Sequence, residues 1–530
     1  MAAPTGLPPR TSVVIAGGGP VGLAAAVELG LRGIETVVIE PRPEVSHARP
    51  RCKTLNARTM EHARRWGIAE RLRERCPLPT SWSQDIVFCT SLAGYELSRF
   101  EGVLGLVAEG DRFPELGQQA PQFVFEEVLR EFVDELPACT LLTGLRVANL
   151  EQDAERVTVT VASATGETGA VRADYALGCD GPRSAVRAAI GSVYEGGQAL
   201  RPNFGMLFRA PGLWERVAHG PAVQYWVVNQ AAPAVIGPLD REETWWIGCF
   251  GVDAERGERE GERLIQGAIG APLEVEILSR DPWVAHMELV DHARVERVFL
   301  AGDAAHLNPP FGGHGLNTGV GDAVDLGWKL AAVLEGWAPP ELLDTYELER
   351  RPVQERVIAE ATTNMKTLAP DLLAPDLGEA SESGEAARAR AHEQIQETKW
   401  EEFNALDLVL DIAYESPTII GSGAGGPVAG ARLPHVFLAP GHSIYDELGP
   451  GFSLLLLGDD AVRESAELLG AAAQRGAPLH LVDLRHRGLE GRYRSDLLLV
   501  RPDGHVAWNG RRAGIDPGEL IDRVRAVPLV

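Results

Sequence analysis

A glycine-rich turn set directly between a buried strand and a helix constrains this chain more than any other feature. Ser12-Val-Val-Ile-Ala16 reads as a parallel strand, Gly17-x-Gly19-x-x-Gly22 as the turn after it, and Val37-Val-Ile-Glu40 as the next strand. Residues 11 to 40 therefore form a βαβ unit. Glycines at this spacing allow a tight turn and let a pyrophosphate approach the backbone. The helix opening at Pro20 and Val21 supplies amide donors and positive potential to it. Glu40 follows Gly22 by 18 residues, where a carboxylate can hold a ribose hydroxyl pair, and Arg42 stands beside it as a further candidate for the same ligand. The motif alone does not distinguish FAD from NAD.

At 530 residues the chain exceeds one compact core, and roughly 150 residues per domain gives three or four units. Its 45% hydrophobic and 24% charged composition is globular, with enough apolar material for several cores. The formal charge, 50 basic minus 75 acidic residues, is −25, which repels nucleic-acid phosphates and anionic membrane surfaces. One short basic cluster, Arg49, Arg51, Lys53 and Arg58, reads either as a solvated surface or as a partner for the anionic dinucleotide. The six cysteines form no CxxC pair, which argues against zinc and against a disulfide framework, and no metal is expected. Glycines interrupt the uncharged run at residues 13 to 27, and no other segment reaches the ~18 apolar residues of a membrane span, so a cytoplasmic location is expected.

Residues 54 to 75 read as one amphipathic helix, with Leu55, Met60, Ala63, Ile68 and Leu72 on the buried face. Short β-rich runs at 204–209, 223–228 and 244–250, separated by Pro and Gly turns, predict an antiparallel sheet in a different layer from the βαβ unit. Residues 320–365 are strongly helical, 367–385 read as a mobile loop, and Gly421-Ser-Gly-Ala-Gly-Gly-Pro427 as a linker. Beyond it, strand-like runs at 452–457, 479–483 and 497–500 predict a small α/β domain. The expected division is a discontinuous dinucleotide-binding domain (1–80, 105–190, 285–365), a sheet domain (81–104, 191–284), a helical or loop linker (366–427) and a terminal domain (428–530).

Two later motifs narrow the ligand. One is Leu177-Gly-Cys-Asp180-Gly181-Pro182-Arg183-Ser184. The other is Gly302-Asp303-Ala-Ala-His306-Leu-Asn308-Pro309-Pro310-Phe-Gly312-Gly313-His314-Gly315-Leu316-Asn317-Thr318-Gly319. The latter reads as a buried strand ending in an acid, then a Pro- and Gly-rich loop, then a helix. Asp303 can accept from a ligand hydroxyl, the loop brings amides near a flat ring, and the helix aims its positive end at negative charge on the ligand. In this order the motifs resemble those of the class A flavoprotein monooxygenases, the family of p-hydroxybenzoate hydroxylase. The resemblance is closer to the larger phenol hydroxylase-like and polyketide hydroxylase branch. It spans essentially the whole chain, including Leu343-Asp-Thr-Tyr-Glu-Leu-Glu-Arg-Arg-Pro352 and Arg501-Pro502-Asp503-Gly504-His-Val-Ala-Trp508.

The resemblance implies an α/β fold: an FAD-binding Rossmann-like domain, an antiparallel-sheet substrate domain and a C-terminal thioredoxin-like domain. It implies non-covalent FAD, NADPH or NADH as a transient co-substrate, and O2. A flavin C4a-hydroperoxide would then hydroxylate a phenolic or polyketide-like aromatic ring. Residue by residue, Arg51 matches an arginine at the FAD pyrophosphate and Gln122 a glutamine near the ribityl chain. Asp180, Gly302, Asp303, Pro310, Gly313, Gly315, Leu316 and Asn317 match flavin-lining positions, with Pro309 and Pro310 at the flavin edge. No cysteine follows Cys249, so the terminal domain is expected to be structural or to assist assembly, without redox work. Homo-oligomer formation stays open.

The ring is expected between flavin and sheet, near Tyr225, Trp226, Asn229, Trp245 and Trp246, of which at most about half can share one face. Tyr225 joins Lys53, Pro309 and Pro310 as a candidate catalytic residue. Phenol hydroxylase carries a carboxylate at the position of Lys53, so its acid–base scheme does not transfer. A cation there would stabilise phenolate, and a lysine near flavin can have a lowered pKa; an exposed lysine or a flavin contact is the other reading. A halogenase or a Baeyer–Villiger-type oxygenase shares the fold. The lack of a Trp-x-Trp-x-Ile-Pro run counts against the halogenase, and product analysis separates the other. A non-catalytic flavin-binding protein is the alternative of another class, and the intact segment from Asp303 to Thr318 argues against it.

Overall fold

The computed structural model describes residues 6–48, 53–103, 111–366, 372–421, 427–510 and 515–528. The strand Arg10–Ala16 pairs in parallel with Thr36–Glu40 on one side and Thr168–Gly178 on the other. Cys139–Thr143 and Val298–Leu300 extend the sheet in parallel at either side. Helices cover such sheets, so the central strands bury continuous apolar runs such as Val13-Val-Ile15 and Val37-Val-Ile39. Because the strands are parallel, the ends at Ala16, Glu40, Gly178 and Leu300 all open on one edge, where open α/β sheets bind ligands.

The second sheet runs, in order, His306–Leu307, Glu276–Val290, Tyr194–Arg209, Thr244–Phe250, Ala234–Pro238, Gln224–Val227, Ile86–Cys89 and Glu96–Phe100. The expected antiparallel order holds with one departure among the described residues: Gln224–Val227 lies parallel to Ile86–Cys89. Distant chain segments meet there, so no hairpin dictates their direction. Helix Ala254–Ile269 covers one face of this sheet, with Leu264, Ile265 and Ile269 packed against Phe204, Tyr225 and Trp245.

Two local expectations are corrected. Residues 54–75 are not one helix: Thr54–Leu55 pairs with Gln118–Gln119, and helices Ala57–Trp66 and Ala69–Arg75 are separated by Gly67, whose left-handed backbone ends the first. The expected loop at 367–385 is largely ordered structure. Its residues 367–371 lie outside the described chain, but Pro375–Gly378 forms a 3-10 turn, and Ser381 caps the helix Glu382–Phe403. Leu372 and Leu377 are buried with Phe88, Trp226 and Phe403, and this apolar anchorage outweighs the polar composition.

The terminal domain sets Phe452–Leu456 parallel to Leu479–Asp483, then Leu497–Val500 and Val506–Gly510 antiparallel beyond it, a thioredoxin-like arrangement. Most of the glycine linker, residues 422–426, lies outside the described chain. No helix among the described residues is long and apolar enough to cross a membrane.

Candidate active site

The glycine- and acid-bearing motifs, far apart in sequence, meet at the open edge of the parallel sheet. Gly17 has φ +100°, and a Cβ there would lie 2.4 Å from the carbonyl oxygen of Cys179, so only glycine lets the first motif touch the second. A Cβ on Gly302 or Gly319 would come within 2.9 or 2.6 Å of Val21 Cγ2, which packs the third motif on the same turn. Tyr194 and Arg187 close the ring of contacts. The Tyr194 hydroxyl donates to the carbonyl of Asp303, and Arg187 lies 3.9 Å from the centre of the tyrosine ring while donating to the carbonyl of Ala304 at 3.4 Å.

What this edge can hold follows from its unfilled positions. A Cβ on Gly19 would meet no atom within 4 Å, and the helix Pro20–Gly30 starts without a side-chain cap. Open space thus faces the donor end of a helix, which fits a pyrophosphate. Glu40, 3% exposed, accepts from Gly18 N at 2.7 Å and from Arg42 N and Nε at 2.9 and 2.6 Å. A carboxylate offers about four acceptor positions, so one is left for a ribose hydroxyl. Arg42 also reaches Glu126 at 2.8 Å. Asp180 Oδ2 accepts from Ala185 N at 2.7 Å, whereas its Oδ1 is buried without a protein partner. Burial pushes the Asp180 carboxyl up from its ordinary range. A ligand donor at Oδ1 would satisfy it. The residues fit FAD.

The loop after Asp303 is held by Asn317, expected at the flavin but spending its side chain on the protein, and by Asp322, which no motif singles out. Asn317 donates to the carbonyls of Thr54 and Gly313 at 3.0 and 2.8 Å and accepts from Asn56 N and Thr59 Oγ1 at 3.0 and 2.7 Å. Its amide is fully used in clamping Gly313 to the segment after Lys53. Asp322, buried in the helix Gly315–Leu334, accepts from Gly302 N, His306 Nε2, Arg350 Nε and Gln354 Nε2. Burial alone would raise its pKa, but Arg350 and His306 outweigh it and hold the carboxyl at about 2. The sequence signal for Asp322 was only an acid inside an apolar helix.

Strand register sorts the aromatic candidates. Gly205 pairs with Gly248, Gly248 with Val235, and Gly237 with Trp246. These residues and Trp226 share one face, and a Cβ on Gly205 or Gly248 would meet nothing closer than 3.4 Å. Phe311, from the proline–glycine loop, packs over this face, its ring 6.1 Å from those of Trp226 and Phe250. Lys53 reaches the same face. Its ammonium donates to the carbonyl of Val223 and sits 5.2 Å from the Trp246 ring centre, and no carboxylate pairs with it among the described residues. Burial without a counter-charge pushes its pKa down to about 7.

The remaining candidates do not all join this constellation. Tyr225, 0% exposed, points to the opposite face with Trp245, and its hydroxyl donates to the carbonyl of Gly220. The structure separates it from Lys53 by a sheet thickness, contrary to the catalytic expectation. Asn229 braces a turn, donating to Thr90 O at 2.8 Å and accepting from Ala232 N. Gln122 opens the helix Gln122–Glu135, half-buried. Pro309 is buried and Pro310 exposed ahead of Gly313, and Gly315 and Leu316 form the first turn of the next helix. Arg51 lies outside the described residues.

Residues 10–361 match the family described as FAD binding domain, and residues 426–527 match the one described as aromatic-ring hydroxylase, C-terminal. Tetracenomycin B2 monooxygenase-dioxygenase of Streptomyces olivaceus is 32% identical, over 97% of this chain and 98% of the relative. Among solved structures, the rebeccamycin biosynthetic enzyme RebC with reduced flavin superposes with a TM-score of 0.89 at 35% identity, covering 98% of this chain and 99% of the other. The flavin-dependent monooxygenase PieE in complex with FAD and substrate gives 0.88 at 30% identity, with 98% and 99% covered.

Proposed function

The chain belongs to the FAD-binding family of flavoprotein aromatic-ring monooxygenases, and on that premise we propose that it uses NAD(P)H and O2 to hydroxylate a phenolic or polyketide-like aromatic ring. The observation that carries this reading is the face left without side chains at Gly205 and Gly248, bordered by Trp226 and Trp246 and facing the proline–glycine loop. Without side chains at Gly205 and Gly248 and aromatic at its margins, such a face suits a planar ring.

Bound FAD supplies the transfer of electrons from NAD(P)H and of one oxygen atom from dioxygen to the ring. The chain's own residues bind and orient. The turn from Gly17 to Gly22 and the helix it opens take the pyrophosphate, Glu40 a ribose, and Asp180 and Asp303 polar groups of the same cofactor. Pro309 and Phe311, both buried, would exclude water where the loop meets the sheet, with Pro310 beside them. Lys53 brings positive charge to the junction of loop and sheet, where a ring oxygen would lie. The helix beginning at Gly315 directs its positive end toward the reduced cofactor.

The test is NAD(P)H oxidation over a panel of phenols and aromatic polyketides, with mass analysis of the products. Substrate-dependent oxidation with a product heavier by one oxygen supports the reading. Oxidation with no such product on any ring, or an inserted ester oxygen, overturns it.

A further inference from the structure

Gly237 and Trp246 lie directly opposite each other on neighbouring strands, and Lys53 approaches the bare α-carbon of Gly237 from the other layer. A Cβ on Gly237 would lie 2.8 Å from Lys53 Nζ, 2.9 Å from the carbonyl of Val223 and 3.0 Å from Trp246 Nε1. Three polar atoms thus converge on one α-carbon. The carbonyl is already used by Lys53, which leaves two donors converging beside Gly237. Trp246 Nε1 is buried and has no partner, and an indole nitrogen can only donate. An ammonium has three donors, and for Lys53 one acceptor, Val223 O, is seen among the described residues.

We propose that Lys53 Nζ and Trp246 Nε1, converging over the bare α-carbon of Gly237, bind one anionic oxygen of the aromatic substrate, a phenolate or a carboxylate. The inference rests on the hydroxylase reading and deepens it by naming the substrate class. A neutral acceptor would satisfy the indole and leave the ammonium without a counter-charge in a desolvated place, which is why an anion is the better fit. The lowered pKa of Lys53 has the same origin, burial with no anion beside it among the described residues. The position also suits the chemistry. Thr54, the next residue, is held through its carbonyl by Asn317, so an oxygen seated at Lys53 lies between the flavin loop and the glycine face. Trp246 and Gly237 become specificity-determining residues, the first by its N–H and the second by having no side chain.

The experiment measures binding to the FAD-loaded full chain by equilibrium dialysis, with 4-nitrobenzoate, 4-nitrophenolate and the uncharged 4-nitroanisole as probes. A charge-assisted pair of donors should favour at least one anion over the ether by about tenfold or more. Preference for nitrobenzoate would assign a carboxylate, and preference for nitrophenolate a phenolate. Lys53→Met should erase the preference, and Trp246→Phe should reduce it several-fold at unchanged affinity for the ether. Gly237→Ala, which inserts a methyl among the donors, should weaken the anions more than the ether. Equal binding of all three probes by the wild type overturns the site, as does a preference that survives Lys53→Met. Should Lys53→Met fail to fold, a preference unchanged in both Trp246→Phe and Gly237→Ala overturns it equally. Binding is read without turnover, so a protein that prefers the anion yet hydroxylates no phenol or polyketide loses the hydroxylase reading alone.

Discussion

Arg501 and Glu349, 152 positions apart, form a bidentate ion pair with both N···O distances at 2.8 Å. Neither side chain is accessible, and Glu349 also accepts from Lys329 at 2.8 Å, while Arg501 reaches Asp325 at 3.1 Å. Lys329 and Asp325 lie on the helix that begins at Gly315, so the terminal domain is tied to the helix behind the flavin loop. Arg501→Met removes one partner and leaves acids buried together, which costs about 3–5 kcal/mol. The expected outcome is a lowered denaturation midpoint with FAD released earlier in the transition; a midpoint within error of wild type contradicts it.

With no cysteine after Cys249, that domain is expected to brace the helix without passing electrons. Arg501→Met protein that retains FAD should therefore be reduced by NAD(P)H at the wild-type rate in stopped flow. Bound FAD that no longer reduces would give the terminal domain a role beyond bracing.

Acid should destabilise the fold through its buried imidazoles. Burial holds His314 and His505 at about 4, below the ordinary 6.5. Their unfolded forms take up protons first as pH falls, so their stabilisation is complete above about 6.5 and is lost on the way down through 4. Each contributes up to about 1.4 kcal/mol per pH unit in that window. Melting temperature followed from pH 7 to 4 should fall more gently in His505→Gln than in wild type, and parallel curves would count against the assignment.

Asp303 stands on the turn Gly302–Ala304, at the end of the strand Val298–Leu300. If its carboxylate accepts from the cofactor, Asp303→Ala should weaken FAD retention about tenfold. Ultrafiltration of the purified yellow protein reads this directly, and FAD held as tightly as in wild type would remove Asp303 from the binding set.

Hydroxylation under labelled dioxygen should place one labelled atom in the product and the other in water. Label entering instead from solvent water would exclude direct oxygen transfer from dioxygen to the ring.

The flavin cradle was legible in the sequence because each part is a short contiguous run whose backbone demands are local: a strand, glycines at set spacings, a helix start. Alternation also showed that Tyr225 and Trp226, or Trp245 and Trp246, must face opposite ways. It could not say which member of each pair faces the loop. That parity depends on which layer packs on which side, and here helix Ala254–Ile269 takes the side of Tyr225 and Trp245, leaving Trp226 to Phe311 and Trp246 to Lys53. The break at Gly67 escaped the helical pattern because apolar spacing continues across it. Pairs such as Lys53 with Val223, Asp322 with Arg350 and Arg501 with Glu349 belong to no local pattern. The sequence by itself determined the motifs, their chemistry and the relative facing of neighbours on a strand, since covalent spacing sets those. Only the tertiary structure decided the absolute facing, the register that sets Gly237 against Trp246, and the partners of buried charges, because these follow from which distant surfaces exclude water together.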